Sequence, residues 1–189
     1  MTDTATRTDA KAFIEHLYTM RDRANANIPR HSGEARTELA TLRRGLQGGR
    51  HRIAACGIVF RFEPSGDQLD VWLLIGALYA LHPVARPRRG AAIDNFAWSM
   101  GKLAADRGDA VDRRFNQVAS AEGDSLEHYL RQSIQLLKSA SLDYNPEQLL
   151  RDTELLLSAK RTRDVLDRQR RTRVQWVSNY FTAKNQKTA

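Results

Sequence analysis

The stretch VWLLIGALYAL, from Val71 to Leu81, is the longest apolar run in the chain that contains no charged residue. Its eleven residues fall well short of the roughly 20 that a helix needs to cross a bilayer. The run therefore predicts a helix that is buried in a protein core, and it is too short to be a membrane span. His82 and Pro83 follow it directly, which favours a capping or packing role for His82.

Segments on both sides of this run place their apolar residues at helical spacing. In residues 34–46, an alanine and three leucines fall at i, i+4, i+7 and i+11 and form one narrow stripe. Ser32 is predicted to be the N-cap of this helix, and the glycines at 45, 48 and 49 are predicted to break the chain after it. Similar stripes lie within Phe13–Tyr18, Ile93–Ala104, Val111–Val118 and Leu126–Leu137. Loops are expected at residues 25–31, 64–67, 83–90 and 141–145.

Two later helices are predicted to start at capping residues. Asp124 followed by Glu127 is close to a capping-box pattern. Asn145, Pro146 and Gln148 provide an N-cap, a proline at the first helical position and an acceptor at the third. We therefore expect helices to begin at both points.

Evidence for β-structure is confined to residues 53–62, where Ile58, Val59, Phe60 and Phe62 could form a short strand. No second segment with matching alternation is visible to pair with it, and an isolated strand is unstable. We therefore interpret this segment as helical. The sequence predicts an all-α protein, a compact bundle of eight or nine helices.

Length and composition suit a globular protein. The chain has 189 residues, 41% of them hydrophobic, which excludes an intrinsically disordered chain. We expect a single all-helical domain over residues 9–182, with flexible tails at 1–8 and 183–189. The lone cysteine, Cys56, excludes a disulfide scaffold and a cysteine-based zinc site, and is expected to be a small buried residue. The first ten residues contain no apolar segment typical of an export signal, which favours a cytoplasmic location.

The charge is the most informative feature of the composition. Thirty Lys and Arg residues against 22 Asp and Glu residues give a net charge of +8, and 24 of the basic residues are arginine. Codon bias in a GC-rich genome is an alternative explanation for that ratio, but it does not explain the positive charge itself. Because the planar guanidinium matches phosphate oxygens, a polyanion is the expected partner.

The basic residues concentrate in the last predicted helix. Residues 160–173 contain seven bases and two acids. A solvated surface helix with the ion pairs Asp164–Arg168 and Asp167–Arg171 is the alternative interpretation. Those two pairs leave the other bases unpaired, so we favour contact with phosphate groups.

Two arginines of this helix occupy an unexpected position. At 100° per residue, Val177 and Phe181 lie within about 60° of Leu166, and so do Arg170 and Arg173. An amphipathic helix that docks along its whole length should not place guanidinium groups on its apolar stripe. We therefore expect the first half of the helix to leave the core and the second half to pack on it.

Three other basic sites follow the same logic. Arg43 and Arg44 lie at the C-terminal end of their helix, where cations also interact favourably with the helix dipole. Arg113 lies opposite the apolar stripe of its helix, with Arg114 beside it. The loop Arg86–Arg89 adds three positive charges, which can attract a polyanion without specifying its sequence.

The sequence favours no enzymatic chemistry. Five scattered histidines, His16, His31, His51, His82 and His128, have no second ligand at metal-binding spacing. Nucleophile-elbow, phosphate-loop and dinucleotide motifs are missing. Asp106, Asp109 and Asp112 lie near one another, as a two-metal nuclease would require, but a helix junction at Gly108 also favours capping acids there. We expect no enzyme activity, no metal and no cofactor, and keep a nuclease as a less favoured alternative.

Aromatic residues provide no clear platform for nucleic-acid bases. Trp72 and Trp98 lie within apolar stripes, and Trp176 lies near the apolar sector of the last helix. Core packing is therefore favoured over base stacking for all three.

Several short motifs have an order and spacing that resemble one known family. In chain order they are Leu42–Gly45, Leu78–Pro83, Ser99–Ala104, Arg113–Phe115, Leu130–Arg131, Leu136–Lys138, Leu149–Asp152, Trp176 and Tyr180–Phe181. No single motif is specific, but together they resemble the CasB family, the small subunits of the type I-E CRISPR interference complex Cascade. The resemblance covers about residues 10–182.

The resemblance implies a non-enzymatic, all-helical subunit that stabilises the guide RNA and the opened DNA strands. The implied partners are the large subunit and the backbone subunits of Cascade, a second copy of the chain, CRISPR RNA, and the target and non-target DNA strands, with no membrane. In such complexes base pairing reads the sequence while protein holds the backbones. By position, the implied nucleic-acid-binding residues are Arg43, Arg44, Arg113, Arg114, Arg131, Arg168, Arg170, Arg171 and Arg173.

Two features depart from the family pattern. Lys102 stands where relatives often carry arginine, and the last helix is unusually rich in arginine. The alternative from another class is a stand-alone helical DNA-binding regulator with a helix–turn–helix over residues 36–52. The second half of that segment is broken by glycines and then apolar, which argues against a polar recognition helix.

Overall fold

The computed structural model describes residues 3–26, 28–86 and 94–186, with side chains from residue 9 onward. Within these ranges the chain forms nine α-helices and two short 3-10 helices and contains no β-strand, which confirms the predicted all-α class. The helices form two compact units, residues 1–89 and 90–189. The single domain expected over residues 9–182 stays a prediction. No helix among the described residues is long and apolar enough to span a membrane.

The first unit is built around the apolar run quoted above. Its four helices are α1 Asp3–Asn25, α2 Pro29–Arg44, α3 Gly49–Val59 and α4 Leu69–Leu81. All residues from Val71 to Ala80 are buried. Trp72 stacks on Phe13 of α1 with 5.1 Å between the ring centroids. The interpretation of the run as a core helix is confirmed, and His82 forms its C-cap.

Glycines allow close contacts between α2 and its neighbours. A Cβ atom at Gly76 of α4 would lie 3.2 Å from Cδ2 of Leu42. At the end of α2, a Cβ atom at Gly45 would lie 2.6 Å from the Cβ atom of Ala55 in α3. Gly45 therefore allows α2 and α3 to lie in close contact. It belongs to a short 3-10 helix, Gly45–Gln47. The break occurs at Gly48, whose φ of 79° favours glycine.

Some details of this unit differ from the sequence-based predictions. α2 begins at Pro29, because proline fits the first helical position, whose N–H makes no bond within the helix. Ser32 is therefore inside the helix rather than at its N-cap, and its hydroxyl donates to the Pro29 carbonyl. The helical interpretation of residues 53–62 is confirmed, since α3 continues into the 3-10 helix Phe60–Phe62. Cys56 is half-buried and not a core residue.

The second unit contains the other five helices. They are α5 Phe96–Arg107, α6 Asp109–Ser120, α7 Asp124–Ser139, α8 Pro146–Leu156 and α9 Arg163–Gln186. α6 and α7 bury the stripes predicted for them. Ile93, the first residue of another predicted stripe, lies outside the described residues. α9 continues through residues 183–186, which were expected to belong to a flexible tail, and Ala183 is buried.

One of the two predicted caps is confirmed. The Asn145 side chain accepts a hydrogen bond of 2.9 Å from the backbone N–H of Gln148, and Pro146 occupies the first helical position. The other cap is wrong, because Gly123 is the N-cap of α7 and Asp124 already belongs to the helix. Asp124 therefore acts only through its favourable charge at the positive end of the helix dipole.

α9 packs along α5 at very short range. A Cβ atom at Gly101 of α5 would lie 2.2 Å from the carbonyl oxygen of Tyr180, so only glycine fits at this position. Tyr180 also stacks on Phe115 of α6 with 3.8 Å between the ring centroids. Trp176 is buried as expected, whereas Trp98 is half-buried.

Candidate nucleic-acid interface

The inner face of α9 carries a row of side chains that form hydrogen bonds with α6 and α8. We call these residues the inner row: Gln169, Arg173, Trp176, Tyr180 and Lys184. They recur at i, i+4, i+7, i+11 and i+15, the spacing of one helix face. The inner row therefore fixes how α9 is rotated about its own axis.

The first two residues of the inner row cap other helices. Gln169 Nε2 donates to the carbonyl oxygen of Leu155 near the end of α8, at 2.8 Å. The Arg173 guanidinium donates to the carbonyl oxygens of Ala119 and Ala121 at the end of α6, the second at 2.6 Å. Helix C-termini leave carbonyls without partners and carry negative partial charge, so a cation there is favourable. Burial lowers the pKa of Arg173, which remains a cation at neutral pH.

The third residue of the inner row binds a half-buried carboxylate. Trp176 Nε1 donates to Asp152 Oδ2 at 2.7 Å, and Gln148 Nε2 donates to Asp152 Oδ1 at 2.7 Å. Burial raises the pKa of Asp152, although both hydrogen bonds act in the opposite direction. These bonds join α9 to α8 at a second point, which lies C-terminal to Gln169 on α9.

The last two residues of the inner row bind Asp112 in the first turn of α6. Lys184 Nζ lies 2.8 Å from both carboxylate oxygens, and the Tyr180 hydroxyl donates to Oδ1. Burial alone would raise the pKa of Asp112, but the hydrogen bonds from Lys184 and Tyr180 outweigh it, so the pKa lies below its usual value. Burial and the adjacent carboxylate raise the pKa of Tyr180.

A second stripe of α9 lies beside the inner row and is exposed. We call it the outer row: Leu166, Arg170, Val174, Val177 and Phe181. The four apolar members are 44%, 61%, 39% and 49% exposed, in chain order. The expectation that the second half of α9 packs on the core is confirmed, since Trp176, Tyr180 and Ala183 are buried, but the helix packs through the inner row and not through this stripe. Arg170 therefore lies on an exposed face, while Arg173 lies on the docked face.

The other predicted arginines of α9 are exposed. Arg168 lies 4.0 Å from Asp164, at the limit of an ion pair. Arg171 donates from Nε to the backbone oxygen of Asp167 at 3.4 Å rather than to its carboxylate. Arg168, Arg170 and Arg171 therefore form a positive segment in the first half of α9.

A second predicted group lies on α6 and α7. Arg113 and Arg131 are exposed. Arg114 is half-buried and donates to the side-chain oxygens of Gln117, at 3.0 Å, and Gln132. The bond to Gln132 brings the part of α7 that carries Arg131 next to α6, so the structure groups these three arginines.

The first unit carries the remaining predicted pair. Arg43 and Arg44 are exposed at the end of α2, and Arg44 Nε donates to the Ala40 carbonyl at 3.2 Å. Arg50, which the sequence analysis did not single out, is also exposed, in the first turn of α3. The signal for it was the Gly48–Gly49 break, which ends one helix and starts the next within six residues of Arg44.

Other arginines are engaged by carboxylates. Arg52 pairs with Asp70, and Arg61 pairs with Glu38. In the predicted basic loop, Arg86 lies 2.8 Å from Glu15, and residues 87–89 lie outside the described ranges. Among the described residues, no such ion pair engages the six arginines Arg43, Arg44, Arg113, Arg131, Arg170 and Arg171.

The structure gives the three clustered aspartates different environments. Asp112 is held by Lys184 and Tyr180, whereas Asp106 and Asp109 are exposed. Within the described part of the chain, no group of three or more His, Cys, Asp or Glu residues is arranged to hold a metal ion.

Comparison with known proteins identifies a family. The model of the CRISPR-associated protein Cse2 family matches residues 38–181. A search of curated proteins finds no match. One similar solved structure is a chain of a CRISPR RNA-guided surveillance complex, with a TM-score of 0.66 at 19% identity, over 97% of this chain and 96% of that chain. Another is CasB from Thermobifida fusca, with a TM-score of 0.66 at 18% identity, over 94% of this chain and 98% of that chain.

The structural matches show a shared fold over nearly the whole length of each chain, and the family model covers most of this sequence. The resemblance noted from the order of short motifs is thereby confirmed. This chain belongs to the Cse2 family of CRISPR-associated proteins.

Proposed function

We propose that the chain is the small, non-catalytic subunit of a type I-E Cascade surveillance complex. In that role it binds the guide RNA and the target and displaced DNA strands and stabilises them during strand opening. Family membership and the similarity to a chain of an RNA-guided surveillance complex support this role. The large subunit, the backbone subunits and a second copy of the chain are its proposed partners.

The observation that carries the binding proposal is the set of exposed arginines without a carboxylate. Arg170 and Arg171 are the proposed phosphate ligands of α9, with Arg168 beside them. Phosphate binding is also proposed for exposed arginines on the other helices: Arg113, Arg131, Arg43 and Arg44. A guanidinium binds two phosphate oxygens at once and is only weakly hydrated, so an exposed unpaired arginine suits a nucleic-acid backbone.

Two of the arginines implied by the family resemblance have a different proposed role. Arg173 donates to two carbonyl oxygens, and Arg114 donates to two glutamines. We assign them to holding α9 and α7 against α6, so that the exposed arginines on these helices keep fixed positions. Arg50 joins the proposed binding set because of its exposure.

The test is the salt dependence of single-strand binding by the isolated chain. Four to six phosphate contacts give a log–log slope of about −3 to −4 on single strands. Fluorescence anisotropy with labelled RNA and DNA oligonucleotides of scrambled sequence should give this slope for every sequence, with affinities that agree within about twofold, because backbone contacts do not read bases. A slope near zero, or strong preference for one duplex sequence, would contradict the proposal.

A further inference from the structure

The outer row of α9 is an apolar surface without a partner. It contains four of the seven large hydrophobic side chains that are exposed among the described residues. From Leu166 to Phe181 it extends over about 22 Å of helix. Exposed apolar side chains that are grouped on one helix face are typical of interaction sites.

The outer row is presented in a fixed orientation. Every residue of the inner row is hydrogen-bonded to α6 or α8, so α9 cannot roll to bury its outer row. Gly101 adds to this constraint, because the α5 backbone lies directly under Tyr180. The exposed side chains therefore belong to the surface of the folded chain. They are not core residues that local unfolding has exposed.

The chemistry of the outer row favours a protein over a nucleic acid. Leu166, Val174 and Val177 have no aromatic face on which a base could stack. Apolar side chains around an arginine, with Phe181 at one end, match the composition of protein–protein interface centres. A nucleic-acid strand would leave the aliphatic surface against a charged backbone.

The charge around the outer row restricts which kind of protein surface can bind to it. Arg170 lies within the outer row, with Arg163 one turn before Leu166 and Arg171 beside it. Asp164 and Asp167 are the only acids of α9, and Asp164 already lies near Arg168. Two outer rows packed in parallel would bring these arginines together, and two packed antiparallel would place each Arg170 against apolar side chains without a carboxylate, so both arrangements are unfavourable. A complementary surface must therefore present carboxylates among apolar side chains.

We propose that the outer row docks another protein subunit of the surveillance complex through a segment that carries acidic residues between apolar ones. The proposal rests on the proposed function, since it requires a complex in which that subunit is present. It assigns opposite tasks to the two faces of α9: the inner row holds the fold and the outer row holds a partner. Arg170 then lies at the border between the docked partner and the phosphate-binding arginines.

The test uses the full chain reconstituted with the other subunits and guide RNA. The variant Val174→Glu/Phe181→Glu places two acids in the outer row. The matched control Gln175→Glu/Thr182→Glu makes the same charge change at exposed positions of α9 outside the row. Native mass spectrometry measures how much of each variant enters the complex, and anisotropy measures single-strand RNA binding by the free chain.

We expect incorporation of the outer-row variant to fall at least tenfold relative to the control, with equal melting temperatures and equal RNA binding by the free chains. Equal incorporation of both variants would overturn the docking surface alone. A loss of RNA binding confined to the outer-row variant would assign the row to nucleic acid instead. Failure of the unmodified chain to enter the complex would overturn the proposed function, and the docking surface with it.

Discussion

Arg170 and Arg173 show that two arginines three positions apart on one helix can have different environments. Both fall on the apolar stripe that sequence spacing predicts for this helix. The structure separates them because Arg173 caps the end of α6 and Arg170 lies on the exposed side. Sequence spacing could not separate them, since a half-buried cation is recognisable only from the carbonyls that it meets.

Replacing Arg173 should therefore destabilise the fold. Arg173→Ala removes charged donors from two carbonyls and is expected to lower the free energy of unfolding by about 1–3 kcal/mol. Arg170→Ala, the matched control, removes an exposed charge and should change stability by less than about 0.5 kcal/mol. Urea unfolding of both variants measures the difference. Equal stability of the two variants would mean that the Arg173 hydrogen bonds contribute nothing.

Asp152 predicts an unusual dependence of stability on pH. Because burial raises its folded pKa above the unfolded value, the folded state binds a proton more tightly than the unfolded state. Stability contributed by this group therefore falls as the pH rises from about 4 through the folded pKa. In Asp152→Asn the Trp176 N–H keeps an oxygen acceptor, and the variant lacks this titration.

The stability of Asp152→Asn relative to the unmodified chain should consequently increase from pH 4 to pH 7. Urea unfolding at several pH values measures it. The variant Trp176→Phe serves as a control. It removes the Nε1 donor but keeps the Asp152 carboxylate, which can still titrate. A stability difference that is constant across this pH range would contradict the raised pKa.

At the scale of elements, sequence patterns located the helices better than they located their faces. The segments containing α2, α6 and α7 were predicted from apolar spacing, that of α4 from its unbroken apolar run, and that of α8 from the residue types of the Asn145 cap. For α9 the second half packs as expected, but its docked face lies beside the predicted apolar stripe, because that face contains Gln169, Arg173 and Lys184. A helical wheel counts such residues as exposed, although here their polar groups satisfy carbonyls and a carboxylate of neighbouring helices.

The positive segment of α9 should contribute measurably to the salt dependence of binding. Each phosphate contact on a single strand contributes about 0.7 to the log–log slope. Arg170→Ala/Arg171→Ala should therefore reduce the magnitude of the slope by about 1.4 and weaken binding. The control Arg30→Ala/Arg151→Ala removes the same charge from exposed residues that already have acidic neighbours, Glu34 and Glu147.

Equal slopes for these two double variants would show that only net charge matters and that α9 holds no phosphate contacts. A reduced slope in the Arg170 and Arg171 variant alone would support direct contact. Anisotropy with one labelled RNA over a range of salt concentrations provides both values. Melting temperatures should match, since all four residues are exposed.

At the scale of the whole molecule, composition and motif order were more informative than any single residue. The excess of arginine predicted a polyanionic partner, and the order of short motifs predicted the family that the family model confirms. The binding surface was less predictable, because each helix supplies only a few exposed arginines. Their grouping, such as that of Arg113, Arg114 and Arg131, depends on how α6 and α7 pack.

The environment of Asp112 argues against a two-metal site at the three clustered aspartates. A two-metal nuclease requires carboxylates that are free to bridge cations about 4 Å apart. Both oxygens of Asp112 instead accept from the Lys184 ammonium, and Tyr180 adds a third bond. A metal at Asp112 would have to displace a cation that is part of the fold.

We therefore expect the purified chain to leave RNA and DNA intact in the presence of Mg²⁺ or Mn²⁺. Gel analysis of labelled single strands and duplexes after prolonged incubation measures this. Asp109→Ala is the informative variant, because Asp109 is exposed in the first turn of α6 and its replacement should leave the fold unchanged. Cleavage that persists in this variant would show that it does not depend on the Asp109 carboxylate. Cleavage that disappears with Asp109 would show that α6 supplies a catalytic carboxylate, and would restore the nuclease alternative.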